Sequence, residues 1–265
     1  MSFLPVVPAP GLAGWKFLQR TYDAQFQAFN ASPQQQRDVD YFSENIQNIR
    51  SAEELVKDRR LLNVALGAFG LQSDIDNRYF VQKILSDGTQ SDDALANKLA
   101  DDRYKEFSKA FAFGPGESPS TTNPASMATI VSRHQSQSFE IAVGEQDDAM
   151  RIALYAQREL AALAHKNVSE ETKWYSLMGL PPLRSMFETA LGLPNGFGQI
   201  DIDKQYTVFR EKTRTVTGNA TVSQFSDPDS MEQLTRLFLA RAQLATLGAA
   251  NSSGANALVL LQSAS

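Results

Sequence analysis

Residues 174–208 read WYSLMGLPPLRSMFETALGLPNGFGQIDIDKQYTV, and the second half of this stretch has an earlier counterpart in the chain. Asp201-Ile202-Asp203-Lys204-Gln205-Tyr206-Thr207-Val208 matches Asp74-Ile75-Asp76-Asn77-Arg78-Tyr79-Phe80-Val81 at Asp, Ile, Asp, Tyr and Val. Upstream, Ala190-Leu191-Gly192 repeats Ala65-Leu66-Gly67, and Phe197-Gly198 repeats Phe69-Gly70. Each copy runs from an apolar helix through a glycine-bearing turn to an acidic helix start. The expected architecture is all-α, a multi-helix body containing a diverged duplication over residues 50–113 and 175–247. Two units are too few for an open solenoid, so they are expected to pack into one body.

The same periodicity extends outward in both directions. Trp15, Leu18, Tyr22, Phe26 and Phe29 are spaced three and four apart, and Val39, Phe42, Ile46 and Ile49 form a second stripe. Ser51 and Glu54 have capping-box spacing ahead of Leu55, Leu62, Leu66 and Phe69. Late in the chain, Met231, Leu234, Leu237, Phe238 and Leu244 define a last helix that Gly248 is expected to stop. One stretch departs from the pattern: residues 215–225, with Gly218-Asn219 near the centre, read as a hairpin or an irregular loop.

Pro5, Pro8 and Pro10 make residues 1–12 an extended segment. The Gly, Pro, Ser and Thr content of residues 114–124 marks a linker between helical subdomains at 13–113 and 125–248. Residues 249–265 read as a flexible tail ending in the apolar patch Leu258-Val259-Leu260-Leu261.

Composition removes several classes of function. The formal charge of −5, with no basic cluster outside a helical pattern, argues against a nucleic-acid-binding face. The absence of cysteine excludes disulfides, thiol nucleophiles and Cys-ligated metals. No run approaches the roughly 20 apolar residues of a membrane span, and the N-terminus lacks the basic residue and unbroken apolar stretch of a cleavable signal. The protein is expected to be soluble when made, with export by a route that needs no cleaved signal left open.

The tempting chemical motifs have simpler structural readings. Asp74, Asp76, Asp201 and Asp203 resemble paired metal or acid/base carboxylates, but neither segment continues as a calcium loop, and Asp at a helix start caps free N–H groups. Ile75 and Ile202 are then expected to plug the core. His134 and His165 have no partner at metal-ligand or catalytic spacing. Asp147-Asp148 and Glu170-Glu171 open helices and suit the dipole. No cofactor, metal or catalytic residue is expected. The candidate interaction surface is Trp174, Arg184 and Phe187 with Trp15 and Phe26, although Arg184 also fits an internal ion pair and the aromatic stripe also fits a core.

Taken together, residues 138–160 (SFEIAVGEQDDAMRIALYAQREL), residues 174–194 and the turn at 197–203 resemble the bacterial domain-of-unknown-function family 1217, found mainly in alphaproteobacteria. YFSENIQNI and LLNVALGAFGL resemble it too, so the likeness spans most of residues 20–247. Members of that family are associated with flagellar gene clusters. The resemblance therefore implies a role in building or operating the flagellum, with other flagellar or assembly proteins as partners, and brings no enzymatic activity.

The expected function is thus a non-enzymatic interaction or structural protein of the flagellum, of open oligomeric state. The alternative is a small-molecule-binding or hydrolytic α-domain with a site between the repeat units, which a polar pocket lined by Asp203, Arg184 and His134 would favour. A cytoplasmic regulator unrelated to motility is a third reading.

Overall fold

Residues 3–263 are described by a computed structural model, with side chains described as far as residue 248. The chain is 75% helical, and no strand occurs among the described residues. Along the chain lie α1 (Gly11–Asn30), α2 (Pro33–Asn45), α3 (Ala52–Lys57), α4 (Arg59–Gly67), α5 (Arg78–Asp87), α6 (Leu95–Lys98) and α7 (Asp102–Phe111). There follow α8 (Pro124–Gly144), α9 (Asp148–His165), α10 (Glu170–Met178), α11 (Pro181–Leu191), α12 (Ile202–Thr217) and α13 (Pro228–Ser263). None of the helices searched among the described residues is long and apolar enough to cross a membrane.

The helices group into two compact units. One comprises Met1–Val6, Thr21–Glu145 and Gly179–Pro181; the other comprises Val7–Arg20, Gln146–Met178 and Pro182–Ser265. The first unit closes over Phe42, Ile46, Leu55, Leu62, Leu66, Ile84, Phe107 and Phe111, all buried. Several of its helices begin at capping side chains. Ser51 accepts from Glu54 N–H, and the Glu54 carboxylate accepts from Arg50 N–H, one residue ahead of the N-cap, so two free donors are satisfied. Asp58 accepts from Arg60 and Leu61 N–H, which divides the helix expected after Ser51 into α3 and α4.

The segment 114–124 is not a linker between subdomains. It lies inside the first unit, where Thr121 is fully buried and donates to Ile49 O at 2.6 Å. Glu117 accepts from Gly114 N–H, so polar side chains that read as solvent-facing instead tie the loop down. One of the changes of unit falls between Glu145 and Gln146, in the turn from α8 to α9.

In the second unit, Trp174 meets Phe187 edge-on at 5.7 Å and stacks on Phe209 at 6.3 Å. Phe197 adds an edge contact to Phe209 at 5.1 Å, and Phe225 one to Phe187 at 5.5 Å. The stretch at 215–225 is irregular rather than a hairpin: α12 runs to Thr217, Gly218 ends it at φ 81°, and a 3-10 turn follows at Ser223–Ser226. What holds it is α10. Trp174 Nε1 donates to Ala220 O at 3.0 Å, and Val222 N–H donates to Glu170.

Gly248 does not stop the last helix, whose backbone continues to Ser263. A glycine in a helix interior costs about 1 kcal/mol against alanine, which weakens a helix without ending it. The Leu258–Leu261 patch lies outside the residues whose side chains are described.

Candidate functional site

The four repeat aspartates divide by role. Asp201 caps α12, accepting from Asp203 N–H at 3.1 Å and Lys204 N–H at 3.3 Å. Asp203 accepts from Tyr175 O–H at 2.6 Å, a bond that raises the Tyr175 phenol to about 12. In the earlier copy, neither aspartate caps α5, whose N-cap is Asn77 without a side-chain bond. A 3-10 turn at Gln72–Asp74 precedes that helix, so Asp74 lies too far back to reach its free N–H groups. Asp74 accepts instead from Tyr104 O–H at 2.7 Å and Asn77 Nδ2 at 2.9 Å. Burial, reinforced by the Asp74 bond, pushes the Tyr104 phenol up to about 12. Asp76 pairs with Arg59 at 2.5 Å, and this bond holds its carboxyl below the ordinary value. Ile75 is half-buried, but Ile202 is 45% exposed and plugs nothing. No group of three or more potential metal ligands occurs among the described residues.

The expected interaction surface is mostly interior. Trp174 and Phe187 are fully buried at the centre of the aromatic cluster, and Trp15 is 1% exposed. Phe26 is half-buried, stacked on Tyr22 at 5.6 Å and meeting Phe139 edge-on at 5.5 Å. Arg184 donates to Glu188 at 2.8 Å and Gln205 at 2.5 Å, which makes it an internal ion pair. Aromatic residues at helical spacing look the same in sequence whether they dock a partner or fill a core; here they fill the core. Behind Trp174, buried Lys173 donates to Ala164 O at 2.8 Å and Ser223 Oγ at 2.6 Å. Nothing in the local pattern marks this lysine as interior, because the loop that covers it lies 50 residues away.

His134 is 4% exposed, and burial lowers its pKa to about 4 against a smaller raising influence from Asp38. Its Nε2 lies 3.5 Å from Ser138 Oγ, and its Nδ1 has no partner. Such a ring is neutral near pH 7.

Among the described residues of the second unit, exposed apolar surface lies along α13. Residues 243–248 are all exposed, including Leu244 at 68% and Leu247 at 54%, although periodicity placed Leu244 in a core stripe. Beside them runs a groove of about 580 Å³ whose walls include Ile152, Phe238, Leu239 and Ala242. The two acids at its edge are already engaged, Asp147 in capping α9 and Asp148 with Arg151 at 2.7 Å. The surface left for contact is largely apolar. Uncovered apolar surface at a groove is a recurring mark of protein association.

A family model described as "Protein of unknown function (DUF1217)" matches residues 68–231. The fold is similar to a crystal structure of a protein from Agrobacterium tumefaciens, solved as a structural genomics target. The TM-score is 0.73 at 22% identity, covering 91% of this chain and 99% of that one. No curated protein matches the chain.

Proposed function

The chain belongs to the DUF1217 family, and we propose that it is a non-enzymatic protein-binding component of flagellar assembly or function. The observation that carries this reading is the uncovered apolar side of α13 at Leu244 and Leu247, next to the groove. The occupant that fits is an apolar-faced helix of another flagellar protein, since helix-in-groove recognition uses side chains at helical spacing against an apolar channel. The flagellar setting is supported by the association of this family with flagellar gene clusters. The non-enzymatic reading is supported by the histidines: His134 is wedged in the interior, and His165 sits exposed at the end of α9.

The test combines deletion with complementation. Loss of the gene is expected to impair swimming and give abnormal basal bodies by electron microscopy. The wild-type gene restores both, and a Leu244→Asp/Leu247→Asp variant with unchanged circular dichroism does not. Normal swimming in the deletion strain would sink the flagellar assignment. Full rescue by the double variant would sink the docking surface.

A further inference from the structure

The C-terminal half of α13 is an imperfect palindrome centred between Ser252 and Ser253. Gln243 mirrors Gln262, Leu244 mirrors Leu261, Leu247 mirrors Leu258, Ala250 mirrors Ala255, and Ser252 mirrors Ser253. Thr246 and Val259, also mirrored, share a branched shape, and mirrored Gly248 and Ala257 are both small. No charged residue occurs from Ala242 to Ser265.

The leucines of this palindrome fall on a heptad seam. Leu244 and Leu247, then Leu258 and Leu261, take a and d positions, with Asn251 and Gly254 at the a and d between them. The groove residues Phe238, Leu239, Ala242, Ala245 and Thr246 take b, c and f positions, on the other side of the helix. Leu244 and Leu247 are exposed on the seam, and Leu247 also borders the groove. The backbone stays helical through Asn251-Ser252-Ser253-Gly254, residues of weak helix propensity. Packing of an apolar face is what sustains such a stretch. An isologous contact requires a surface that complements itself, and a palindrome supplies one when two helices run antiparallel. Turned about its centre, the seam sets Leu244 against Leu261, Leu247 against Leu258 and Asn251 against Gly254, each a position against a d.

We propose that the occupant of this seam is a second copy of the chain, its α13 running antiparallel over residues 243–262. The assignment rests on the reading of α13 as a protein-binding helix and names the partner of its a and d face. The b, c and f face stays free for the occupant of the groove. Twenty residues of helix give a seam about 30 Å long. Gly248, Ala250, Ala255 and Ala257 flank it, and such small residues let helix axes approach closely. Asn251 at an a position sets the register. Met231, Leu234, Phe238 and Leu239 are buried and anchor the start of α13, so the cost of nucleating the helix is met before the seam begins.

Sedimentation equilibrium of the full chain tests it. A reversible dimer is expected at concentrations up to about 100 μM. Leu258→Asp/Leu261→Asp should weaken it about a hundredfold or more, and Leu244→Asp/Leu247→Asp equally, because each mirrored layer needs both members. Circular dichroism melting checks that both variants fold. The chain has no cysteine, so introduced ones report direction. Leu247→Cys chains mixed with Leu258→Cys chains should form a mixed disulfide under mild oxidation. Leu247→Cys chains alone should not, because antiparallel pairing separates the two copies of residue 247 by about 16 Å, beyond disulfide reach. A monomer at about 100 μM overturns the self-pairing and leaves the seam to a different protein. A dimer that survives Leu258→Asp/Leu261→Asp overturns the seam, and cross-linking of Leu247→Cys to itself overturns the antiparallel direction. These readouts are masses of purified protein, so the self-pairing and the flagellar role can each fail alone.

Discussion

Residues 74–81 and 201–208 share Asp, Ile, Asp, Tyr and Val in the same order, yet they enter their helices differently. In the later copy, α12 starts at Ile202, directly after its capping aspartate. In the earlier copy, a 3-10 turn intervenes and α5 begins at Arg78, three residues beyond the equivalent point. The shift changes which face is buried. Val81, Ile84 and Leu85 are interior in α5, while Gln205, Phe209 and Thr213 are interior in α12. The latter three align with Arg78, Gln82 and Ser86, a different stripe. Tyr79 is 80% exposed, whereas its counterpart Tyr206 stacks on Tyr175 at 5.4 Å. Shared residues at a helix entry therefore carry neither a common start nor a common core face.

Alanine exchanges at aligned positions test this most strongly. Phe209→Ala is expected to cost about 3–5 kcal/mol, and its counterpart Gln82→Ala to stay within about 0.5 kcal/mol. In the opposite direction, Ile84→Ala is expected to cost about 2–5 kcal/mol and exposed Glu211→Ala almost nothing. Urea unfolding measures all four. Similar losses within each aligned pair would restore the structural equivalence that the geometry denies.

A second contrast lies at the shared Ala-Leu-Gly. A Cβ on Gly67 would stand 2.4 Å from His134 Nδ1, whereas one on Gly192 would meet the movable end of Arg241 at 2.2 Å, on a backbone that itself calls for glycine at φ +65°. Only the first glycine is thus tied to a buried histidine, and only that region carries its pH dependence. The folded His134 titrates at about 4 against an ordinary 6.5, so between these values the unfolded chain binds more protons and stability rises with pH. The contribution is complete above pH 6.5, is lost as pH falls towards 4, and amounts to about 3 kcal/mol. Subtracting the pH–stability curve of His134→Gln from that of the wild type should isolate it. A flat difference between pH 4 and 6.5 would show that the ring is not held neutral by burial.

Gly67→Ala should then cost about 1–3 kcal/mol by overpacking, and this cost should shrink when His134 is also alanine. Gly192→Ala should cost about 1 kcal/mol for its left-handed backbone, unchanged in the His134→Ala background. Equal sensitivity of both glycines to His134 would contradict the two separate causes.

Much of this fold could be read from spacing alone, because helical periodicity and caps are local. Ser51, Asp147 and Asp201 start helices where their sequence context places them. The all-α class follows from the same periodicity. What could not be read depends on residues far apart in the chain. Trp174 reads as a binding aromatic until Ala220 and Phe209 close over it. Leu244 continues a periodic stripe, but among the described residues of the second unit nothing covers its helix face there, and it is exposed. A cavity beside His134 draws on residues from Phe3 to Glu145, a set that no short motif can display. Arg184 lies between these cases: Glu188 follows it at helical spacing, while Gln205 reaches it only through the fold.

The smallest predicted differences concern the aspartates that first linked the two regions. Asp201→Ala removes a cap that satisfies two backbone N–H groups and should cost about 1 kcal/mol. Asp76→Ala removes an exposed ion pair with Arg59, which solvent screens, so its effect on stability should be smaller than that of Asp201→Ala. Asp74→Ala has a spectroscopic signature of its own, because it deletes the acceptor that helps hold Tyr104 near 12. Ultraviolet titration should then show one tyrosine ionising at lower pH, although burial still keeps it above an unperturbed phenol. Asp201→Ala should leave that tyrosine unchanged. If Asp74→Ala instead cost as much as Asp201→Ala and left every phenol in place, Asp74 would be acting through the backbone after all. The two acidic turns would then share a capping role despite their different helix starts.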